Sequence, residues 1–478
     1  MSKLKKLAGE TVLYGFGSIF PRMISFFLIT LHTNTFSTSE YGIFTKLMAF
    51  VAFINVVFMF GMETAFFRFS SKPDADKKQI FNLTQTCVFL VSVPISVLFI
   101  VFSQPIAASL GVAKHPEFIV WLTLIMLTDA VVAIPFAQLR LQKKAMQFAL
   151  FKIVNVVVLV GLNYYFLKFN YNPSINVGYV FLANLIANAL FILFFLPALL
   201  QWRPAYDKTI SPTMLQYAYP VMLTGVAGMT NEMFSRLTLE WWLPNDFYKN
   251  TTKEEALGIF GACYKFAVLM NLGIQAFRYA AEPFFFSNAA DKNSPALFAK
   301  VNHYFVVAGC IVLLGISLNL EILQYFIGTD FRAGMQIVPI LLMAYLMLGV
   351  YYNFSVWFKL TDKTYFGTII TVGGAIITIL GNYFLIPSMG YTGSSWAALL
   401  CYAFMVVVCY YFGQKYFPIP YQIYKMISYL VITFIIAIVV NSMKIDHFWI
   451  SLGFHWLVLV AYLGVIYWIE RPGWNKVV

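Results

Sequence analysis

Asn382-Tyr-Phe-Leu-Ile-Pro387-Ser-Met-Gly390-Tyr-Thr-Gly393 closes an apolar span that begins at Lys363 and opens another one. A blurred copy lies earlier in the chain. Lys144 is followed nineteen residues on by Asn163, in Gly161-Leu-Asn163-Tyr-Tyr-Phe-Leu, as Lys363 is by Asn382, in Gly381-Asn382-Tyr-Phe-Leu; both pairs are offset by 219. Gly42-Ile-Phe returns as Gly258-Ile-Phe at an offset of 216, and Gly178 with Ala183 as Gly393 with Ala398 at 215. A nearly constant offset over several landmarks indicates two homologous lobes. Internal duplication of this kind is how many membrane transporters are built.

The composition sets the solvent in which these lobes fold. Of the 478 residues, 60% are hydrophobic and 11% charged, and the mean hydropathy is +0.76. That is far from the mix of a water-soluble domain. Apolar stretches near 9–33, 41–66, 79–108, 117–138, 145–167, 176–199, 212–241, 256–283, 299–319, 334–358, 363–386, 391–413, 421–440 and 447–468 are each long enough to cross a hydrocarbon core of about 30 Å. The expected fold is an all-α integral membrane protein of about fourteen transmembrane helices. Two pseudo-symmetric six-helix lobes, residues 1–202 and 203–416, precede an extra, peripheral helix pair at 417–478. The boundary between lobes falls at Gln201-Trp-Arg203-Pro-Ala-Tyr-Asp-Lys208, a polar linker.

Charge placement tests the count. With a cytosolic N-terminus, 20 of the 32 Lys and Arg fall in cytosolic segments and 6 outside; the other 6 lie within spans. This bias satisfies the positive-inside rule and puts both termini in the cytosol. The net charge of +12 therefore matches topology and anionic lipid headgroups rather than a nucleic acid. Lys3, Lys5 and Lys6 precede an apolar run with no small-residue cleavage site, which reads as a retained first helix. Cys87, Cys263, Cys310, Cys401 and Cys409 all sit inside spans without metal-ligand spacing. No metal or cofactor is expected.

Ionisable residues inside spans are the candidates for function, because a charge at the bilayer centre costs about 3 kcal/mol or more. Thr11, Ser18, Arg22 and Ser25 share one face of the first helix, and no acidic residue lies within a turn of Arg22. Lys46 and Glu63 lie in the second span, where Glu63 either pairs with Arg68 or Lys72 or faces the lumen. Asp129 is the one carboxylate near the middle of the fourth span; it is a candidate for proton or sodium binding, or a structural partner of Lys152. Glu232, Arg236 and Glu240 form an acid–base–acid ladder in the seventh span. Lys265 lies in the eighth, and Arg278 and Glu282 are spaced to pair at its cytosolic end. The expected substrate-lining set is Arg22, Ser18, Ser25, Lys46, Lys265, Arg236 and Glu232. Asp129 and Glu63 are the ion-coupling candidates.

Asn382-x-x-Leu-Ile-Pro387-x-x-Gly390-x-x-Gly393, with Tyr41-Gly42 and Gly61 through Arg68, resembles the motifs of bacterial polysaccharide-repeat (O-antigen or capsule) flippases. That family belongs to the superfamily of the lipid II flippase and the multidrug-and-toxin exporters. The resemblance implies facing lobes around a central cavity, alternating access, a place in the bacterial inner membrane, and glycan polymerases or ligases as partners. The chain departs from the family at an Asp-Arg pair often found in the seventh helix: here Ser235 precedes Arg236, and Glu232 stands one turn back. The first lobe also lacks the Leu-Ile-Pro run.

Three functions compete. A flippase for an undecaprenyl-pyrophosphate oligosaccharide suits membrane-embedded bases such as Arg22, Lys46 and Lys265. An ion-coupled multidrug exporter of cations would need an acidic cavity, yet buried bases here are at least as many as buried acids. A membrane-embedded glycan polymerase or ligase needs an external catalytic region, and no outside loop exceeds about a dozen residues. No phosphate-binding glycine loop or nucleophile motif occurs either, so a non-enzymatic transporter is expected.

Overall fold

The computed structural model describes residues 3–72, 74–289, 291, 293–443, 445 and 447–474, with the side chains of residues 15, 17 and 19–471 among them. The first lobe comprises α1 (Lys3–Thr33), α2 (Thr38–Met59), α3 (Met62–Ser70), α4 (Lys77–Val101), α5 (Ser103–Ser109), α6 (Pro116–Leu141), α7 (Ala145–Tyr164) and α8 (Gly178–Gln201). The second comprises α9 (Ile210–Trp242), α10 (Lys253–Asn288), α11 (Ser294–Ser317), α12 (Leu320–Leu323), α13 (Val338–Phe354), α14 (Val356–Leu360), α15 (Tyr365–Met389) and α16 (Tyr391–Tyr416). The long helices α17 (Ile423–Ser442) and α18 (Phe448–Trp474) follow. Among the described residues no strand occurs.

Among the described residues, twelve stretches are long and apolar enough to cross a membrane. The other two of the fourteen expected spans are α1 and α9, the opening helices of the two lobes. In α1 the described apolar part is short, Ile19–Thr33. In α9 the 33-residue helix is interrupted by Glu232, Arg236 and Glu240. Several expected spans are subdivided. The third ends at Val101 and a separate α5 follows; the tenth is a 3-10 stretch, Thr329–Ile337, then α13 and α14. The second breaks between α2 and α3, where Phe60 (φ 48°) and Gly61 (φ 68°) are left-handed.

Packing repeats between the lobes. α1 lies on α7 as α9 lies on α15; α4 and α8 flank α6 as α11 and α16 flank α13. Both α2 and α10 begin with a capping box, Ser37 with Glu40 and Thr252 with Glu255, which satisfies backbone N–H groups that have no helical partner. The lobes meet along α2 and α10. A Cβ on Gly42 would strike the carbonyl of Glu254, and one on Gly258 would strike that of Thr38. Each glycine therefore sits over the carbonyl four residues before the other. Only a residue without a side chain permits that approach. Asn163 and Asn382 also occupy matching places. Both are fully buried, on α7 and α15, and each donates to the carbonyl four residues back, at 2.8 and 2.7 Å.

The Asn382–Gly393 motif makes the turn into the last helix of the second lobe. Gly390 (φ 59°) is its single linking residue, and the Tyr248 ring stacks on Tyr391 at 4.7 Å where a Gly390 side chain would stand. In the first lobe the missing Leu-Ile-Pro run is replaced by a π-helical turn, Tyr165–Phe169, and a longer connection to α8.

Candidate functional site

The crossing of α2 and α10 marks one end of the bundle, here called the loop end because it carries the 243–252 loop. The linker end carries residues 203–208. The loop end is closed by interlocked groups: the Gly328 N–H donates to Thr33 Oγ1 at 3.1 Å, and the Tyr41 and Phe331 rings meet edge-on at 5.4 Å. Just inside it, Lys46 Nζ lies 2.6 Å from Glu240 Oε2, with both side chains about nine-tenths covered. Lys46 is thus neutralised across the lobe boundary by the last rung of the α9 ladder.

The ladder does not neutralise itself. α9 packs against α2, α10 and α15, and partners on those neighbours win over partners one turn away. Glu232 Oε1 accepts from the Tyr345 hydroxyl at 3.3 Å, and that hydroxyl is 2.6 Å from Tyr264 Oη. The Arg236 guanidinium lies over the Tyr264 ring, 3.9 Å from its centre. A ring face attracts a cation but leaves its charge in place. Lys265, the next residue on α10, has no hydrogen bond or ion pair among the described residues.

Arg22 follows Pro21 on α1, about 16 Å from the helix end at Thr33 at ~1.5 Å per residue. Its guanidinium donates to Gln275 on α10, and Gln275 donates to Asn271 at 3.3 Å. No carboxylate pairs with Arg22 among the described residues. Gln275 also lines a cavity of about 130 Å³ with Arg278, Tyr279 and Glu282. Lys265 and Gln275 are ten residues, ~15 Å, apart on α10, so the unpaired cations are spread along a seam rather than gathered at a point. Ser25 is partly covered on the same helix; the side chains of Ser18 and Thr11 lie outside the described residues.

The remaining candidates sit within lobes. Asp129 Oδ1 accepts from Asn188 Nδ2 at 3.0 Å, and Asn188 accepts from Asn155 at 3.1 Å. Lys152, its partner in one of the two readings open for Asp129, makes no direct ion pair with it among the described residues; its Nζ lies over the Phe136 and Phe191 rings at 4.2 and 4.7 Å, near enough for its charge to act on Asp129. Glu63 pairs with Arg140 on α6, not with Arg68 or Lys72. Those two reach aromatic rings instead: Arg68 covers Tyr217 of α9, and Lys72 covers Phe69. The break at Phe60–Gly61 turns Glu63 toward α6. Arg278 and Glu282 pair at 3.4 Å as expected, but Lys359 on α14 approaches Glu282 more closely, at 2.6 Å.

The repeat offset would have found these pairs. Residues 63 and 140 become 282 and 359 when displaced by 219, so Glu63–Arg140 and Glu282–Lys359 are the same ion pair in two copies. The turns that follow repeat as well, with Lys143 at φ 58° and Asp362 at φ 57°. Sequence reasoning also missed His32, buried on α1 with Nε2 2.9 Å from Asn163 Oδ1.

Two six-helix lobes meeting along a cationic seam, with one end sealed by helix crossings, define a multi-pass membrane protein with the architecture of flippases and exporters. The fold is similar to that of the lipid II flippase MurJ in an inward closed conformation, at a TM-score of 0.74 and 14% identity over 95% of this chain and 99% of that one. An inward-facing MATE-family multidrug resistance transporter of the MOP superfamily matches at 0.62 and 12%, over 87% and 98%. A mutant of the Vibrio cholerae MATE transporter VcmN matches at 0.61 and 14%, over 86% and 96%. No curated protein matches the chain in sequence. The chain belongs to the polysaccharide biosynthesis protein family, whose sequence profile matches residues 35–278.

Proposed function

We propose that this protein is a flippase that carries a lipid-linked oligosaccharide, on an undecaprenyl-pyrophosphate carrier, from the inner to the outer leaflet of the bacterial inner membrane. Arg22 carries the reading: a permanent cation deep in the membrane, at the boundary of the lobes, held by an amide and by no carboxylate among the described residues. A guanidinium grips a phosphate through two parallel hydrogen bonds, so a pyrophosphate is the ligand its charge and geometry suit. Lys265 and Arg236 extend the positive seam toward the loop end, and cationic drugs would meet repulsion along it.

In this reading both termini and the 203–208 linker are cytosolic, the lobes divide at residues 202 and 416, and the loop end is the periplasmic gate. Alternating access then requires the α2–α10 crossing and the Lys46–Glu240 pair to separate while the linker end closes. Asp129 is the carboxylate assigned to cation coupling, since its oxygen is held by one amide and no ion pair engages it among the described residues.

The test is surface glycan assembly in a deletion strain complemented with variants. Arg22→Ala abolishes assembly with the protein still inserted at normal level, and Arg22→Lys retains part of it. Loss of one charge-assisted phosphate contact is expected to weaken carriage roughly ten- to a hundredfold. Normal assembly with Arg22→Ala would remove the phosphate role. Asp129→Asn should lower transport across a range of pH and sodium concentrations, and undiminished transport would clear Asp129 of coupling.

A further inference from the structure

A polar cavity away from the seam lies at the linker end, outside the surface where the two lobes meet. It measures about 550 Å³ and is walled by the start of α11, the α16–α17 connection, the first turn of α17 and the end of α18. Lys300, His303, Tyr304, Gln422, Lys425 and Glu470 supply its polar lining. Glu470 is 3% exposed and fully engaged: Lys425 Nζ lies 2.6 Å and the Tyr429 hydroxyl 2.6 Å from Oε1, and His303 Nε2 3.0 Å from Oε2. This carboxylate fixes Lys425 and His303 in place but can balance only one positive charge.

What is left over is the charge of Lys300, which has no ion pair among the described residues; beside it His303, itself nine-tenths buried, keeps Nδ1 without a hydrogen-bond partner among them. The first turn of α17 has no side-chain cap; its Ile423 N–H donates to the Tyr421 carbonyl at 2.9 Å, and the N–H groups of Tyr424 and Lys425 add positive potential beside the two lysines. Ile469 also lines the cavity, and Val465 one turn further along α18 is likewise uncovered by protein. Apolar surface therefore runs from the polar cavity along the outer face of a membrane-crossing helix.

We propose that this cavity binds the phosphate of an anionic phospholipid from the surrounding leaflet, with the acyl chains along Ile469 and Val465. Lys300 and Lys425 hold the phosphate, the α17 N-terminus completes the cradle, and Tyr304 and Gln422 offer hydrogen bonds to the glycerol headgroup. The apolar wall selects a lipid over a free anion. The site is separate from the seam, so it stands or falls independently of the carried glycan. The bound lipid ties α18 to α11 and α17, to which Glu470 already links it.

Native mass spectrometry of the purified full-length protein tests this with phosphatidylglycerol, phosphatidylethanolamine and inorganic phosphate as probes. The expected result is retention of phosphatidylglycerol over phosphatidylethanolamine, undisturbed by millimolar phosphate. Lys300→Ala should lower that retention about fivefold, and Lys300→Arg should keep it. Among the described residues Lys300 makes no hydrogen bond or ion pair to the Glu470 network, so an unchanged thermal midpoint in Lys300→Ala separates lost binding from lost folding. Equal retention of both lipids, full retention by folded Lys300→Ala, or displacement by inorganic phosphate would each overturn the assignment.

Discussion

The two lobes carry the same ion pair at the same offset and surround it differently. In the first lobe Glu63 and Arg140 match one to one, and the Arg140 guanidinium rests 5.0 Å from the centre of the Phe67 ring. In the second, Glu282 receives both Lys359 and Arg278, and Arg278 lies over Tyr352 at 4.1 Å. The first copy is neutral; the second leaves one positive charge over. That surplus lines the same cavity as Gln275, the residue Arg22 reaches. Duplication supplied the scaffold, and a single extra guanidinium made one half of the linker end more attractive to an anion.

The glycine crossing offers the strongest way to break the symmetry. Gly42→Ala and Gly258→Ala each place a methyl group against an opposing backbone carbonyl, at a cost of roughly 1–3 kcal/mol or more. Equal losses in thermal midpoint are expected for the purified proteins, and a large loss in one alone would show that the crossing is not shared evenly. A smaller and unequal effect is expected at the asparagines. Asn163→Ala orphans the buried His32 as well as an i−4 bond, costing about 1–3 kcal/mol. Asn382 Oδ1 has no hydrogen-bond partner among the described residues, so Asn382→Ala should cost less, as the same midpoints report. The smallest effect belongs to the ion pairs, which are about one-third exposed. Arg140→Ala leaves Glu63 alone, whereas Lys359→Ala leaves Glu282 with Arg278. The first should destabilise by up to about 1 kcal/mol and the second by less. The reverse order would contradict the neutral-versus-surplus contrast.

Hydropathy and repeats made the class and the duplication legible, because a hydrocarbon solvent demands long apolar helices and leaves that demand in composition. The glycines were legible as landmarks, but not as the two halves of one crossing. The ladder of Glu232, Arg236 and Glu240 shows why partners were harder to read. Spacing of four makes such residues neighbours on a helix surface, yet a cross-helix partner replaces water or lipid rather than another side chain on the same turn. Glu240 accordingly went to Lys46 and Glu232 to Tyr345.

The sequence alone determined that this chain crosses a membrane many times as two related halves, with a few cations stranded inside. Only the tertiary structure decided which of those charges are neutralised. Lys46 meets an acid 194 residues away and Glu63 a base 77 residues away, distances over which no local pattern carries information. Ion pairing inside a bilayer is set by which helix faces pack together. Close packing of large apolar faces decides that first, and the charged side chains then pair with whatever the packing has brought within reach.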